Sequence, residues 1–438
     1  MTTPHPDAPG DAPSPDGSGR AQRWRPEVFA PFAESPGVVF ARTAARSPQF
    51  GRTSASGADR VLVGSAAGDD RGDVALRARG ELLERMGNVL AGRAAESAAR
   101  WVGDYDGWRR RGVPALDPAE LGDGTEGAAG SAGTAGRAVR QLWVPARSVL
   151  TGDELLVPAG EVFLQHRPPP GCGTTSGAGS TGLGAHPDRT AAAAHAAREL
   201  LERDAIRRSW YGTGAPPPRA VPAEDLLPGP VRTLLTALGL RATLLMLPSP
   251  AGTECAVVCV HGGADGRPGQ SFGARCAAAG DSAATAAGAA YEALMVRWSM
   301  TSPVALRTWE GWTGRTPPRT ALEHALWVFH GQDALGHWTG RERGTAGADA
   351  PGDGQGGGPA GAAGAPNGRG ARERRSPEPS GGLAALAAHT GGDVLLVDTD
   401  TPGIRAEGVC VVRVIAPGAR PLPADDSRIP GALPHPFG

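Results

Sequence analysis

A chain of 438 residues with a formal net charge of −1 has no basic field for nucleic acid, and has room for two or three domains or one large one. All 44 positive charges are Arg, for the sequence holds no Lys, so a Walker-type phosphate loop and Schiff-base chemistry are excluded. The cysteines (Cys172, Cys255, Cys259, Cys276, Cys410) form no CxxC pair and no apolar run approaches membrane-spanning length, which predicts a cytoplasmic protein with reduced thiols and no membrane contact.

Residues 1–22 are rich in Pro, Gly, Asp and Ser and can bury little. Residues 1–50 are therefore expected as a flexible N-terminal tail and lead-in, ahead of one domain over 51–438. Residues 60–66 predict a strand ending in small residues, Asp69-Asp70 a turn and N-cap, and 73 to about 93 a helix. Residues 141–145, 155–158 and 161–164 predict strands, with a hairpin-type turn at Thr151-Gly152-Asp153. The small-residue stretch 171–182 reads on composition as a flexible surface loop, or else as a place where backbone approaches a ligand closely, and a second helix follows over 188–210. Next come a helix over 226–238, strands over 243–247, 255–260 and 272–278, and a third helix over 283–300. The run 322–329 predicts further packed helix. Residues 341–381, mostly Gly, Ala, Pro and Arg, are expected as a disordered insertion. A short helix (383–389), two buried strands (393–397 and 409–415) and a Pro-rich end complete a mixed α/β (α+β) pattern. An ordered Phe437 would need somewhere to dock.

One string occurs twice. Glu81-Leu82-Leu83-Glu84-Arg85 recurs letter for letter as Glu199-Leu200-Leu201-Glu202-Arg203, each after a small-residue stretch, and aligning the glutamates places Gly64 on Gly182. A weaker third unit carries Glu292 and Arg297. Residues three apart on a helix share a face, so each copy presents two carboxylates together. A solvated Glu stripe is the commoner use of such a string; repetition in the same strand–turn–helix context argues for repeated structure instead. Mg²⁺ takes oxygen ligands and is usually shared between carboxylates and phosphates. Glu81, Glu84, Glu199 and Glu202 are thus candidate metal ligands, and Arg85, Arg203 and Arg297 candidate phosphate contacts. His195 lies on the face of Glu199. His166, His186, His261, His324 and His330 share no metal-ligand spacing, and no Ser/His/Asp order accompanies Ser176 or Ser180.

The segment Ser180-Thr181-Gly182-Leu183-Gly184-Ala185-His186, followed by residues 195–205, resembles the central motif of the YcaO superfamily. Gly80-Glu81-Leu82-Leu83-Glu84-Arg85 resembles its first ATP/Mg²⁺ helix, and Glu292 with Arg297 falls where the third such helix stands. Residues 411–418 and the ending Pro434-His435-Pro436-Phe437 resemble its C-terminal region, so the likeness covers roughly 50 to 438. The resemblance implies a YcaO-type fold of repeated strand–turn–helix units with an ATP/Mg²⁺ site between helices. It implies ATP contacts through Arg77, Glu81, Thr181, His195, Glu199, Arg203, Glu292 and Arg297, and a catalytic C-terminus at Pro434, His435, Pro436 and Gly438.

The activity implied is that of an azoline-forming cyclodehydratase of thiazole/oxazole-modified microcin and thiopeptide-like antibiotic biosynthesis. A Cys, Ser or Thr side chain of a ribosomally made precursor peptide attacks the preceding backbone carbonyl. Its oxygen is phosphorylated by ATP, and phosphate leaves to give a thiazoline or oxazoline. The polar N-terminus leaves little room for a fused leader-binding domain, so a separate ThiF-like partner is expected, with a flavin dehydrogenase in the pathway and a homodimer as the assembly. The chain departs from the family pattern at Arg77 (commonly a small hydroxyl residue), Thr181 (Asn), Met295 (Gln) and Gly438 (Pro). Thioamide or amidine formation, or a catalytically weak scaffold presenting peptide, are the alternatives, and the Pro-rich ending discriminates among the reactions.

Overall fold

The computed structural model describes residues 24–51, 60–121, 136–175, 178–212, 215–262, 269–312, 317–331, 333–340, 381–422 and 433–437. Gly438 and all but the last residue of the expected insertion lie outside them, as do residues 1–23.

Strands β1 (Glu27–Phe29), β2 (Val39–Arg46) and β3 (Val61–Gly68) pair antiparallel in that order. Residues expected as a lead-in thus belong to a sheet. The reason is aromatic: Phe40 meets the edges of Phe29, Phe32 and Trp298 at centroid distances of 6.1, 5.9 and 5.7 Å. Helix α1 (Arg71–Ala98) is capped by Asp70, whose carboxylate accepts from Asp73 N at 2.7 Å. Val74, Ala78, Leu82, Leu83, Met86 and Val89 recur every three or four residues and form its buried stripe.

After β4 (Val102–Gly103) and α2 (Tyr105–Arg110), β5 (Gln141–Ser148) and β6 (Glu154–Pro158) make the expected hairpin. Residues 161–164, expected as a strand, instead follow a single helical turn, α3 (Ala159–Val162). Buried Asn88 of α1 decides this: its amide donates to Val162 O at 2.8 Å and accepts from Leu164 N at 2.7 Å, taking the place of a strand ladder.

The rest runs β7 (Leu183–His186), α4 (Arg189–Tyr211), β8 (Arg219–Val221), α5 (Gly229–Ala237), β9 (Leu240–Leu247), β10 (Thr253–Gly262), β11 (Ser271–Ala278) and α6 (Ser282–Ser299). Then follow α7 (Pro303–Gly311), α8 (Ala321–Phe329), α9 (Ala334–Thr339), α10 (Gly381–Thr390), β12 (Leu395–Asp398), α11 (Pro402–Arg405) and β13 (Cys410–Ile415). A second antiparallel sheet is ordered β11-β10-β9-β8 and a third β4-β5-β12-β13-β7, with β6 on β5. All five cysteines are free thiols, and Cys255, Cys259 and Cys276 are buried.

Three units share one plan: β3–α1, β7–α4 and β11–α6. Each helix begins at an aspartate cap, Asp70, Asp188 or Asp281, whose side chain accepts from the amide three residues on. Each strand carries a glycine that lets its helix lie against backbone. A Cβ on Gly64, Gly184 or Gly273 would overlap the carbonyl oxygen of Ala78, Ala192 or Ala289 respectively.

Candidate functional site

In each unit the helix presents a glutamate to a main-chain amide, one turn further along the helix from the close glycine contact in the second unit than in the first and third. Glu81 Oε2 accepts from Ser65 N at 2.6 Å, Glu199 Oε2 from Gly182 N at 3.1 Å, and Glu292 Oε2 from Ala274 N at 3.0 Å. Each carboxylate is thereby fixed by a main-chain donor of its own unit. Glu202 crosses to the next unit, accepting from Cys276 N of β11 at 2.8 Å.

The arginines divide differently. Arg85 stays within its own unit, 2.5 Å from Glu81, with a second nitrogen donating to Val63 O of β3 at 2.7 Å. Arg203 spans two helices, 3.6 Å from Glu202 and 3.8 Å from Glu292. Arg413, in the middle of β13, is buried and donates to Gly179 O at 2.7 Å, in the electrostatic reach of Glu161, Glu199 and Glu84.

This web holds more acid than base, and the carboxyls register it. Burial, then the charges of Glu199 and Glu81, push Glu84 up to about 8. Burial raises Glu199 to about 7 against the opposing charge of Arg203, and burial raises Glu292 as well. Desolvation lowers Arg413, while the anions around Arg203 hold it raised despite its burial.

The C-terminal segment docks beside the web. Phe437 sits among Phe272 and Trp338, at centroid distances of 5.9 and 6.1 Å, with the Arg203 guanidinium 5.9 Å from its ring.

The family model described as YcaO cyclodehydratase, ATP- and Mg²⁺-binding, matches residues 67–420. The chain belongs to the YcaO family. Its role is therefore of the cyclodehydratase type, with ATP and Mg²⁺ as the family's ligands. The fold is similar to that of YcaO from Methanopyrus kandleri, solved with AMPPCP and Mg²⁺: 18% identity, TM-score 0.54, over 93% of this chain and 88% of that one. A heterocyclase solved with substrate and cofactor has a TM-score of 0.58 at 15% identity, over 90% of this chain, which spans half of that one. The Escherichia coli microcin synthetase McbBCD complex with pro-MccB17 bound has a TM-score of 0.50 at 12% identity, over 88% of this chain and 85% of that one. No curated protein matches the chain by sequence.

The YcaO site fits Mg²⁺–ATP on its own terms. Among the described residues Glu84 makes no hydrogen bond and the buried Nε of Arg413 has no partner. Among the described residues no three His, Cys, Asp or Glu side chains are gathered tightly enough to hold a cation by themselves. A cation here needs further oxygens, which is how Mg²⁺ is shared with phosphates.

Other expected contacts are placed less centrally. Arg77 is occupied by Asp73 at 2.8 Å and Ala67 O at 2.7 Å. Thr181 is half-buried beside Gly182, whose amide holds Glu199. His195 is exposed one turn before Glu199, and beside the desolvation of its inner face the positive charges of Arg275, Arg198 and His186 lower its pKa. Arg297 is not brought to the carboxylates. It donates to Gly269 O and lies 5.5 Å from the Phe329 ring, because five residues past Glu292 is the other side of the helix. Pro434 is half-buried, and His435 and Pro436 are buried. Sequence reasoning missed Arg413 as a site residue, although a charge inside Val411-Val412-Arg413-Val414-Ile415 is itself a signal. It also missed Arg275, in the electrostatic reach of Glu292.

Proposed function

We propose that the chain is an ATP-dependent cyclodehydratase of the cytoplasm that converts Cys, or Ser/Thr, of a ribosomal precursor peptide into thiazoline or oxazoline. The observation that carries this reading is that the Pro-rich C-terminal segment and the carboxylate web meet at one side chain, Arg203. Glu81, Glu84, Glu199 and Glu202 hold Mg²⁺, and Glu292 and Arg203 fix the nucleotide side of the site. ATP supplies the phosphoryl group that turns the amide oxygen into a leaving group; the bond from that carbon to the side-chain sulfur or oxygen replaces the one lost, and ADP and phosphate are released. The chain's own share is positioning and charge. Main-chain donors on β3, on β11 and at Gly182 just before β7 keep Glu81, Glu199, Glu202 and Glu292 from turning away. Arg203 and Arg413 are fixed cations beside negative charge that grows during phosphoryl transfer. The buried Phe437 closes this wall of the site against water. A separate leader-binding protein of the ThiF-like kind delivers the peptide, in keeping with a heterocyclase solved with substrate and a synthetase complex solved with its pro-peptide among the similar folds. A flavin dehydrogenase acts afterwards, and the chain works as a homodimer.

The test is reconstitution of the purified chain with the leader-binding partner and a Cys-bearing precursor, reading phosphate release and loss of one water per ring by mass. Glu202→Gln is expected to abolish both. Phosphate release at background level, with product formation untouched by Glu202→Gln, would overturn catalysis and favour the scaffold reading. The engagement of Arg77 with its own helix is the observation on that side. Product carrying sulfur or nitrogen in place of the carbonyl oxygen would instead identify thioamide or amidine chemistry.

A further inference from the structure

The C-terminal segment is held at every second residue. Leu433 O accepts from Trp210 Nε1 at 2.9 Å, His435 O accepts from His324 Nδ1 at 2.9 Å, and Phe437 fills the Phe272–Trp338 pocket. Alternate anchoring is what an extended strand allows, and Pro434 and Pro436 enforce it: the residue before each proline is biased to extended backbone, and neither proline has an N–H to satisfy. The middle anchor is unlike the others. His324 on α8 and His435 are both buried and stack with ring centroids 3.9 Å apart and planes within 5°. Phe437 N donates to His435 Nδ1 at 3.3 Å, so that nitrogen is an acceptor. A carbonyl only accepts, so His324 carries its proton on Nδ1. Helix α8 is fixed just ahead of His324 by a capping box of Thr320 and Glu323, which anchors the clamp in the fold.

We propose that His324 is a positioning residue for the reaction, seating segment 433–437 against the carboxylate web by clamping His435. It acts through the segment rather than on substrate, and it rests on the role given to that segment above. Neither its spacing nor its neighbours in sequence mark it; the clamp exists only because α8 and the chain end converge.

Two readouts test it on the full chain. The first is release of C-terminal residues by carboxypeptidase, followed by intact mass. This reports the population of the unseated segment without any precursor. Expected are slow release from the natural chain, release about tenfold faster from His324→Ala and His324→Phe, and a rate within about threefold of natural for His324→Asn, which keeps a donor near Nδ1. The second is the reconstituted reaction, in which His324→Ala lowers kcat about tenfold and leaves the KM for ATP unchanged, and has no further effect in a chain ending at residue 432. AMPPCP–Mg²⁺ binding confirms that each variant is folded; if His324→Ala loses it, the Asn/Phe pair carries the test. Equal release from the Asn and Phe variants, or unchanged release from both, overturns the clamp. Full activity in the chain ending at residue 432 sinks instead the catalytic role of the segment, while the carboxypeptidase result still reads the clamp.

Discussion

The two Glu-Leu-Leu-Glu-Arg strings are the same five residues on the same kind of unit, yet they do different electrostatic work. In the first, Arg85 folds back on Glu81 of its own helix, and the two side chains remain about a third exposed at 32% and 28%. In the second, Arg203 is only 16% exposed and reaches away from its helix to join Glu202, Glu292 and the ring of Phe437. The difference lies in what each unit packs against. Helix α4 is flanked by β11 and by the chain end, both of which bring groups for Glu202 and Arg203 to meet. It also anchors the returning chain further along: Asp204 accepts from His389 at 2.6 Å and Arg420 N at 2.9 Å, and Arg207 donates to Pro421 O at 2.9 Å. Local sequence sets the height of a carboxylate on its helix, and tertiary neighbours decide what it is for.

Where the copies share their packing, they should fail alike. Gly64→Ala and Gly184→Ala each force a Cβ into a helix carbonyl oxygen, and each is expected to cost about 3 kcal/mol, read as a shift of the denaturant midpoint. Gly80→Ala, with open space around it, should stabilise by about 0.5–1 kcal/mol. A first-unit glycine that tolerated alanine while the second did not would break the equivalence of the units.

Where the copies differ, they should separate. Arg203→Ala removes the bridge between two glutamates and is expected to cost about 2–3 kcal/mol near neutral pH. Arg85→Ala removes a partly solvated pair and one bond to Val63 O, all within the first unit, and should cost about 1 kcal/mol. Matching losses in the two variants would show that the second string is no more integrated than the first.

Acidity sharpens the same contrast. Glu84 and Glu199 titrate at about 8 and about 7 in the folded chain, above the ordinary 4.5. Above the ordinary histidine value of 6.5, where the lowered His195 no longer opposes them, these two carboxyls hold protons in the folded chain that the unfolded chain has lost, and stability falls as pH rises through about 7 to 8. The melting temperature without nucleotide is expected to be lower at pH 8 than at pH 6.5. The stabilisation from added Mg²⁺–ATP should be larger at pH 8, where the carboxylates are free to bind a cation. Glu84→Gln should remove more of this slope than Glu199→Gln. A flat profile in the natural chain would remove the charge imbalance on which the cation argument rests.

Much of this was legible in the amino-acid order because it is locally encoded. Asp70, Asp188 and Asp281 cap helices by contacts three residues long, and Glu81, Glu199 and Glu292 follow from helical spacing. The single turn at Ala159–Val162 was not legible, because Asn88, more than seventy residues away, supplies its hydrogen bonds. Residues 27–46 read only as a lead-in, because the Trp298 ring that Phe29 and Phe40 pack against lies more than two hundred and fifty residues further on. Arg297 shares a helix with Glu292, and its position five residues on already turned it away from the web.

Arg77 is the finest discriminator between the copies, for it stands one turn before Glu81 as His195 stands one turn before Glu199. It bonds to Asp73 and to Ala67 O, with its side chain 45% exposed. A pair this exposed on one helix contributes little, so Arg77→Ser, which restores the small hydroxyl common in the family, should shift stability by less than about 0.5 kcal/mol. If the guanidinium merely braces the end of β3, ATP affinity in the serine variant should stay within about threefold of the natural chain by calorimetric titration, because Glu81 keeps its Ser65 amide. A tenfold loss would make Arg77 a phosphate contact that swings away from Asp73 when nucleotide binds. A tenfold gain would mean that this arginine obstructs the first unit, leaving the second and third to carry the binding.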